Sequence, residues 1–146
     1  MTTEEETPTI ACDFDGVLNS YTSGWTGDTL PDPPVPGAIE WLEDVTNECD
    51  VIIHTARIKE SQPGQTELIK AWLLEHGLSP EALARLSFEG KVTATIYLDD
   101  RGVRFTGENF PTAEEVKNHK AWNKQGKRAK EIKKAWDDLD DRWKCR

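Results

Sequence analysis

Two aspartates one residue apart, Asp13 and Asp15, end a short apolar stretch near the start of the chain, and Gly16 follows them. Side chains two residues apart in an extended strand point to the same side, so both carboxylates can face one ligand. Gly16 lets the backbone turn and approach a bound group closely. Asp138 and Asp140 have the same spacing, but they lie in a polar tail and are expected to be a solvated helix face. The position of the first pair at a strand end makes it the candidate site.

Polar residues also follow two later apolar stretches. Thr55 comes after VIIH, Asp99 and Asp100 come after ATIYL, and Lys91 stands just before that last stretch. In parallel α/β sheets ligands bind beyond the carboxyl ends of the strands, so these side chains are expected to converge. A dense group of carboxylates repels itself and any anionic substrate. We therefore expect it to hold a hard cation, and oxygen ligands of this kind suit Mg²⁺.

Three strand patterns alternate with helical patterns along the chain. The strands are predicted at 9–12, at 51–53 and at 91–98. The helices are predicted at 36–48, at Gln65–His76 and after the N-cap Ser79 and Pro80. This alternation predicts an α/β fold with a central parallel sheet and helices on both faces, a Rossmann-like three-layer αβα sandwich. Residues 17–36 hold four prolines and are predicted to form a flap, and such long connections tend to be functional.

Four motifs, in this order, resemble those of the haloacid dehalogenase (HAD) superfamily of phosphohydrolases. They are DFDGVL at 13–18, HTAR around Thr55, Lys91, and LDD ending at Asp100, so that the resemblance covers about residues 9–107. It implies a HAD-type fold and a Mg²⁺-dependent phosphatase, a phosphomonoester hydrolase that works through an aspartyl-phosphate. In the family pattern Asp13 is the nucleophile, and Asp15 is the acid that protonates the leaving oxygen and then the base that activates water.

The same resemblance implies a metal site. The ligands would be the carboxylate of Asp13, the backbone carbonyl of Asp15 and the carboxylate of Asp99, with Asp100 as a further ligand or as a residue that positions the others.

The resemblance also implies how the phosphate is bound. Thr55 would donate a hydrogen bond to the transferring phosphate, and Lys91 would neutralise charge between the phosphate and the nucleophile. Gly16 would lie against the substrate. Arg57 has two interpretations, a surface salt bridge or a substrate-phosphate ligand. His54 is expected to be a packed strand residue.

The spacing of the motifs leaves no room for the cap domain that many HAD enzymes carry, so a short flap takes its place. An open site admits extended substrates more easily than a closed one, and HTAR with Arg57 is similar to the 3′-phosphatase domain of polynucleotide kinases. The substrate expected is therefore a nucleotide or a nucleic-acid end. No GxxxxGK[ST] motif is present in the sequence. In the flap, Tyr21 and Trp25 would either stack on a base or form a small core.

The C-terminal part is basic although the chain carries a net charge of −9. Residues 117–134 hold eight Lys or Arg and one Glu, so this segment is either a solvated helix face or a support for nucleic acid. Residues 111–146 are predicted to be one long amphipathic helical extension. The apolar residues at 122, 129, 132, 136, 139 and 143 follow heptad spacing. This stripe would pack on its own domain or form a homodimer.

The remaining expectations concern the chain as a whole. Its 146 residues, 36% of them hydrophobic, fit one catalytic domain at 9–110 after a disordered leader at 1–8. The N-terminus is acidic where a secretory signal would be basic and then apolar, and no apolar run could span a membrane, so a cytoplasmic protein is expected. Cys12, Cys49 and Cys145 are read as free thiols. The alternative to an enzyme is a non-catalytic HAD-fold scaffold that dimerises through the C-terminal helix.

Overall fold

The computed structural model describes residues 6–120 and 126–139, and for residues 126–129 it describes only the backbone. The described part contains three strands and five helices. The strands are β1 (Thr9–Cys12), β2 (Asp50–Thr55) and β3 (Leu86–Gly90). The helices are α1 (Ala38–Val45), α2 (Gln65–Glu75), α3 (Pro80–Ala84), α4 (Ala113–Lys117) and α5 (Gly126–Asp137).

The three strands form one parallel sheet in the order β1-β2-β3. The register pairs Cys12 with Ile53 and pairs Thr55 with Gly90. All three strands therefore end at the same edge of the sheet, and the next residues after β1 and β3 are Asp13 and Lys91. This mixed α/β arrangement is compatible with a Rossmann-like layout, and it brings polar residues together as the sequence predicts.

The core forms from the apolar stripes that the sequence indicates. On α1, Ile39, Leu42 and Val45 are buried, and β2 buries Val51, Ile53 and Thr55 in strict alternation. On α2 the buried apolar residues are Ile69, Trp72 and Leu73. Full burial of one such side chain contributes about 1.5–3 kcal/mol. Apolar residues recur with a 3.6-residue period on α1 and α2 and with a 2-residue period on β2. Their burial therefore holds in place the elements that frame the site.

The start of α3 follows the predicted capping chemistry. The Ser79 hydroxyl accepts a hydrogen bond from the backbone N–H of Ala82 at 3.1 Å, and Pro80 occupies the first helical turn. An N-cap serine pairs one of the N–H groups that the first helical turn leaves without a partner, and proline has no N–H to lose there. The prediction of this short helix is confirmed.

The strand predicted at 91–98 is wrong. Residues 91–98 form no strand, and their apolar side chains are exposed, with Leu98 at 98%. The five preceding residues, Leu86–Gly90, pair with β2 instead. Helix α3 ends at Ala84, so the chain reaches the unpaired edge of β2 at Leu86. Residues Leu86–Gly90 occupy this edge, which leaves no place there for 91–98. Strand pairing in the folded chain thus overrides the weak strand propensity of LSFEG.

Gly90 ends β3 where only glycine fits. A Cβ at this position would lie 2.5 Å from the backbone oxygen of Ile58. We expect Gly90→Ala to lower the free energy of unfolding by about 1–3 kcal/mol, because the clash is with backbone and must displace a strand end or a loop. Urea unfolding measures this. Gly102→Ala is the matched control, since its nearest neighbour is a Cβ at 3.8 Å, and a loss of equal size there would contradict the prediction.

The described residues divide into two compact units. One runs up to Ala94 and includes Phe105–Lys117, and the other comprises Thr95–Arg104 and the residues from Asn118 onward. No helix in the described part of the chain is long and apolar enough to cross a membrane. Of the predicted leader, residues 1–5 lie outside the described residues.

The single long C-terminal helix predicted from residue 111 is wrong. Helix α4 starts with a capping box, in which Thr112 accepts from the N–H of Glu115 at 3.1 Å, and it ends at Lys117. Residues 118–120 are not helical, since Asn118 and His119 are weak helix formers. Of the predicted heptad stripe, residues 122, 129 and 143 lie outside the described residues or side chains, whereas Trp136 is 47% exposed.

Candidate active site

Asp13 stands directly after β1, at the carboxyl edge of the sheet. Its Oδ1 accepts a hydrogen bond from the backbone N–H of Phe14 at 2.8 Å, and its Oδ2 lies 3.7 Å from Nζ of Lys91. The Asp13 side chain is 38% exposed, so one part of the carboxylate remains open to solvent. Burial raises the pKa of Asp13 above its ordinary value, although Lys91 and the N–H of Phe14 oppose the change. Asp13 is thus an accessible carboxylate with a cation beside it.

Lys91 is positioned by the end of β2. Its backbone N–H donates to the carbonyl oxygen of Thr55 at 3.0 Å, which continues the β2–β3 pairing by one residue. The Thr55 side chain is buried, and its Oγ1 accepts from the backbone N–H of Arg57 at 3.2 Å. The structure therefore brings Asp13, Thr55 and Lys91 to the same edge of the sheet, as expected. Lys91 follows β3, however, instead of preceding a strand as predicted.

Asp15 is held by two side chains at once. Nε of Arg57 lies 2.6 Å from its Oδ2, and Nδ2 of Asn19 donates to its Oδ1 at 3.0 Å. Phe14, between the two aspartates, is completely buried, whereas Asp13 and Asp15 are partly exposed. Repulsion from Asp15 contributes to the raised pKa of Asp13, so the carboxylates are close enough to interact. Both oxygens of Asp15 are engaged as acceptors.

Arg57 is neither a surface salt bridge nor an open phosphate ligand in this structure. Its side chain is only 3% exposed, and besides Asp15 it contacts the Oε1 of Gln65 at 3.5 Å. Its guanidinium lies over the rings of Trp25 at 4.8 Å and Tyr21 at 5.7 Å. Arg57 therefore connects the carboxylate of Asp15 to two aromatic residues of the flap.

Three residues of this region, Asn19, Gln65 and Asp28, were not predicted from the sequence. Asn19 and Gln65 are both buried, and Gln65 donates to Oδ1 of Asp28 at 3.2 Å. This contact extends the chain of polar contacts from Asp15 through Arg57 to the middle of the flap. Only the placement of Asn19 four residues after Asp15 could have suggested its role. Gln65 opens a helix and is indistinguishable in sequence from a solvated residue.

Gly16 turns the chain away from the site and into the flap. It has φ +82° and open space where a Cβ would stand, so its left-handed backbone is what requires glycine. Its N–H donates to the carbonyl oxygen of Asn19 at 2.8 Å, which closes a tight loop after Asp15. Predicted contact of Gly16 with a substrate stays a prediction.

The flap, residues 17–36, contains no helix or strand, and Asn19 forms isolated bridges with Asp15 and with Pro34. It is nevertheless attached to the core. Leu18 is completely buried, and the carbonyl oxygen of Asp32 accepts from the indole N–H of Trp72 at 3.1 Å. The Asp32 carboxylate accepts from the N–H and hydroxyl of Ser23 at 2.9 and 2.6 Å. Asp32 therefore fastens one side of the flap to the other.

The Asp32 bonds predict a pH-dependent contribution to stability. Hydrogen bonds from Ser23 lower the pKa of Asp32, so the charged form stabilises the fold at neutral pH. We expect Asp32→Asn to be less stable than the wild type at pH 7. The difference should shrink as the pH falls below about 4, because Asp32 then takes up a proton in the unfolded chain and, at lower pH, in the folded chain as well. Urea unfolding from pH 7 downward measures this difference. A difference that stays constant over that range would contradict the role of the charge.

Cys12 does not compete with Asp13 as a nucleophile. It is buried and free, and burial raises the pKa of its thiol to about 12. A thiol with this pKa carries almost no thiolate at neutral pH. Cys49 is also buried and free, and Cys145 lies outside the described residues.

Asp99 and Asp100 belong to the second unit, and the strand expected to deliver them is not formed. Both are exposed, and Oδ1 of Asp99 accepts from the N–H of Arg101 at 2.6 Å. Within residues 6–120 and 126–139, no group of three or more His, Cys, Asp or Glu side chains is arranged to hold a metal ion. At this edge of the sheet the Asp13 carboxylate is partly exposed, whereas the Asp15 carboxylate is engaged by Arg57 and Asn19. Proteins often bind Mg²⁺ through one or two carboxylates together with water and phosphate.

Comparisons with family models, with curated proteins and with solved structures found no match for this chain. The likeness to the HAD superfamily therefore rests on the four motifs alone.

Proposed function

We propose that this protein is a Mg²⁺-dependent phosphomonoester hydrolase with a HAD-type three-layer fold, in which Asp13 is the nucleophile. The observation that carries the proposal is the position of Asp13. It lies partly exposed at the carboxyl edge of a parallel sheet, 3.7 Å from Lys91 and next to a second carboxylate. Phosphoryl transfer needs an aligned nucleophile and compensation of negative charge, and these groups supply both.

In the proposed reaction an oxygen of Asp13 attacks phosphorus while the bond from phosphorus to the ester oxygen breaks. The leaving oxygen keeps the electron pair and takes a proton from Asp15. Water then attacks the phosphorus of the aspartyl-phosphate and gives a proton to Asp15. The bond between phosphorus and the Asp13 oxygen breaks, which releases inorganic phosphate and regenerates the Asp13 carboxylate. Lys91 and the hydroxyl of Thr55 would bind the phosphate oxygens during both steps.

Asp15 can act as an acid only when one of its two contacts opens. Arg57 and Asn19 both donate to it in this structure, at 2.6 and 3.0 Å. A substrate that draws Arg57 away from Asp15 would free that oxygen for the leaving group. The geometry therefore supports a role for Arg57 in positioning Asp15.

The donor set of Asp13 and Asp15 fits Mg²⁺ in kind, since hard oxygen ligands are those that this ion prefers. Burial raises the pKa of Asp13, and a cation bound beside this carboxylate would stabilise its charged form. The Asp13 carboxylate and the Asp15 backbone carbonyl would hold the ion. When bound, Mg²⁺ would neutralise charge on the phosphate.

Phosphate release from para-nitrophenyl phosphate tests the proposal. We expect turnover with Mg²⁺, loss of turnover with a chelator, and recovery when excess Mg²⁺ is added. The non-catalytic scaffold is the competing function, and the exposed Trp136 on α5 favours it. Absence of turnover with Mg²⁺ for this ester, nucleoside monophosphates and 3′- or 5′-phosphorylated oligonucleotides would favour the scaffold, and light scattering would then test for a dimer.

A further inference from the structure

We infer that the cavity between the flap and the loop after β2 binds the base of a nucleotide, with Trp25 as the stacking platform. The assignment rests on the proposed phosphatase function and names its substrate class, a nucleotide. The cavity measures about 340 Å³, and Trp25, Tyr21, Arg57 and Gln62 are among its lining residues. A volume in this range is typical of sites for small molecules.

The Trp25 ring contacts Arg57 on one side, and about half of the side chain is exposed to solvent. The guanidinium of Arg57 lies 4.8 Å from its ring centroid, yet Trp25 remains 49% exposed. A large aromatic side chain that is both fixed and exposed loses little entropy when a planar ligand stacks on it. The contact with Arg57 thus prepares the ring for stacking.

Tyr21 shows that the flap backbone is shaped for this cavity. It has φ +58°, the only positive φ of a non-glycine residue in the described part of the chain. A tyrosine in the left-handed region costs free energy, and such residues cluster at ligand sites. Its ring also faces the Arg57 guanidinium at 5.7 Å. The strained position therefore keeps a second aromatic ring at the cavity wall.

Gln62 offers an unpaired hydrogen-bonding group in the cavity wall. Its Oε1 is shielded from solvent and has no hydrogen-bond partner among the described residues. A buried acceptor without a hydrogen-bond partner is unfavourable. A small rotation of the Gln62 side chain that lets Oε1 accept from a ligand N–H would remove this cost. The bases of nucleotides carry such donors on their edges, next to a flat face, whereas the ring of phosphotyrosine carries none. A base combines the donor and the flat face on one rigid ring, which favours a nucleotide as the ligand.

The cavity is connected to the proposed acid, Asp15, through Arg57. Arg57 lines the cavity and also contacts Asp15 at 2.6 Å, and Lys59 adds a second positive charge to the wall. A nucleotide whose base stacks on Trp25 would therefore place anionic groups near Arg57 and the two aspartates. The cavity and the carboxylates thus form parts of one binding region.

The test compares adenosine 5′-monophosphate with ribose 5-phosphate, which lacks the base, in the full-length protein. We expect kcat/KM to favour the nucleotide about 5- to 150-fold, the range that stacking of one base supplies. Trp25→Leu should reduce that ratio to near one, and Trp25→Phe should restore part of it. Trp136→Leu is the matched control, because Trp136 is 47% exposed and lies on α5, and it should leave the ratio unchanged.

Equal kcat/KM for the two substrates in the wild type would overturn the inference, as would an unchanged ratio in Trp25→Leu. A Trp25-dependent preference for a phosphotyrosine peptide over the nucleotide would overturn the nucleotide assignment. If neither substrate is hydrolysed, turnover of para-nitrophenyl phosphate and phosphorylated oligonucleotides decides the proposed function, and calorimetry with adenosine decides the inference separately. Binding that Trp25→Leu abolishes and Trp136→Leu retains would support the site, and absence of binding would overturn it.

Discussion

Replacing Asp13 with Asn is expected to lower phosphatase turnover on the order of 10⁴-fold or more, because an amide oxygen cannot form the aspartyl-phosphate. The fold should tolerate the change. Burial raises the pKa of Asp13, so the folded chain disfavours its charge at neutral pH, and the neutral amide relieves that cost. We therefore expect the free energy of unfolding to be unchanged or higher in this variant.

The matched control is Asp138→Asn. Asp138 is the first residue of the other aspartate pair, but it lies on the surface in an ion pair with Lys134. We expect full turnover from it. Steady-state phosphate release and urea unfolding of the wild type and both variants complete the comparison. Substantial turnover in Asp13→Asn would remove Asp13 from the role of nucleophile, whatever its effect on stability.

Replacing Asp15 with Ala is expected to have a large effect on stability as well as on turnover. The variant leaves the Arg57 guanidinium, 3% exposed, without its carboxylate partner. Removal of one member of a buried ion pair is strongly destabilising, and we expect a loss of about 3 kcal/mol in the free energy of unfolding. Asp13 and Asp15 thus have opposite expected effects on stability although they are two residues apart.

A surface ion pair provides the control for this loss. Asp137 and Lys133 lie 3.1 Å apart with both side chains largely exposed, so Asp137→Ala should cost about 0.5 kcal/mol or less. The double variant Asp15→Leu with Arg57→Met should be more stable than Asp15→Ala, because it leaves no unpaired charge. Equal losses in Asp15→Ala and Asp137→Ala would show that the Asp15–Arg57 contact does not behave as a buried pair.

Much of the frame of the site could be predicted from local sequence patterns. The strand Thr9–Cys12 has the predicted bounds, and the buried faces of α1 and α2 follow the predicted apolar periods. These elements depend on short-range periodicity and capping, which a single sequence contains. The meeting of Asp13 and Thr55 then follows from parallel pairing, because both follow predicted strands. Lys91 was placed before its predicted strand, and it reaches this edge because β3 is Leu86–Gly90.

The errors concern features that depend on distant parts of the chain. LSFEG has little strand propensity, and its pairing with β2 depends on where α3 ends, so the stretch at 91–98 was the stronger candidate. The role of Arg57 depends on Asp15, Gln65 and Trp25, which come from three separate segments. No local pattern encodes such contacts. The sequence therefore predicts which residues meet at the sheet edge better than it predicts what surrounds them.

Trapping the covalent intermediate tests the central claim most directly. The protein is mixed with a phosphomonoester and Mg²⁺, quenched in acid and reduced with borohydride, which converts an aspartyl-phosphate to homoserine. Peptide mass spectrometry then locates the reduced residue. We expect homoserine at position 13 in the wild type and none at any position in Asp13→Asn. Homoserine at another aspartate, or turnover without any reduced residue, would contradict it.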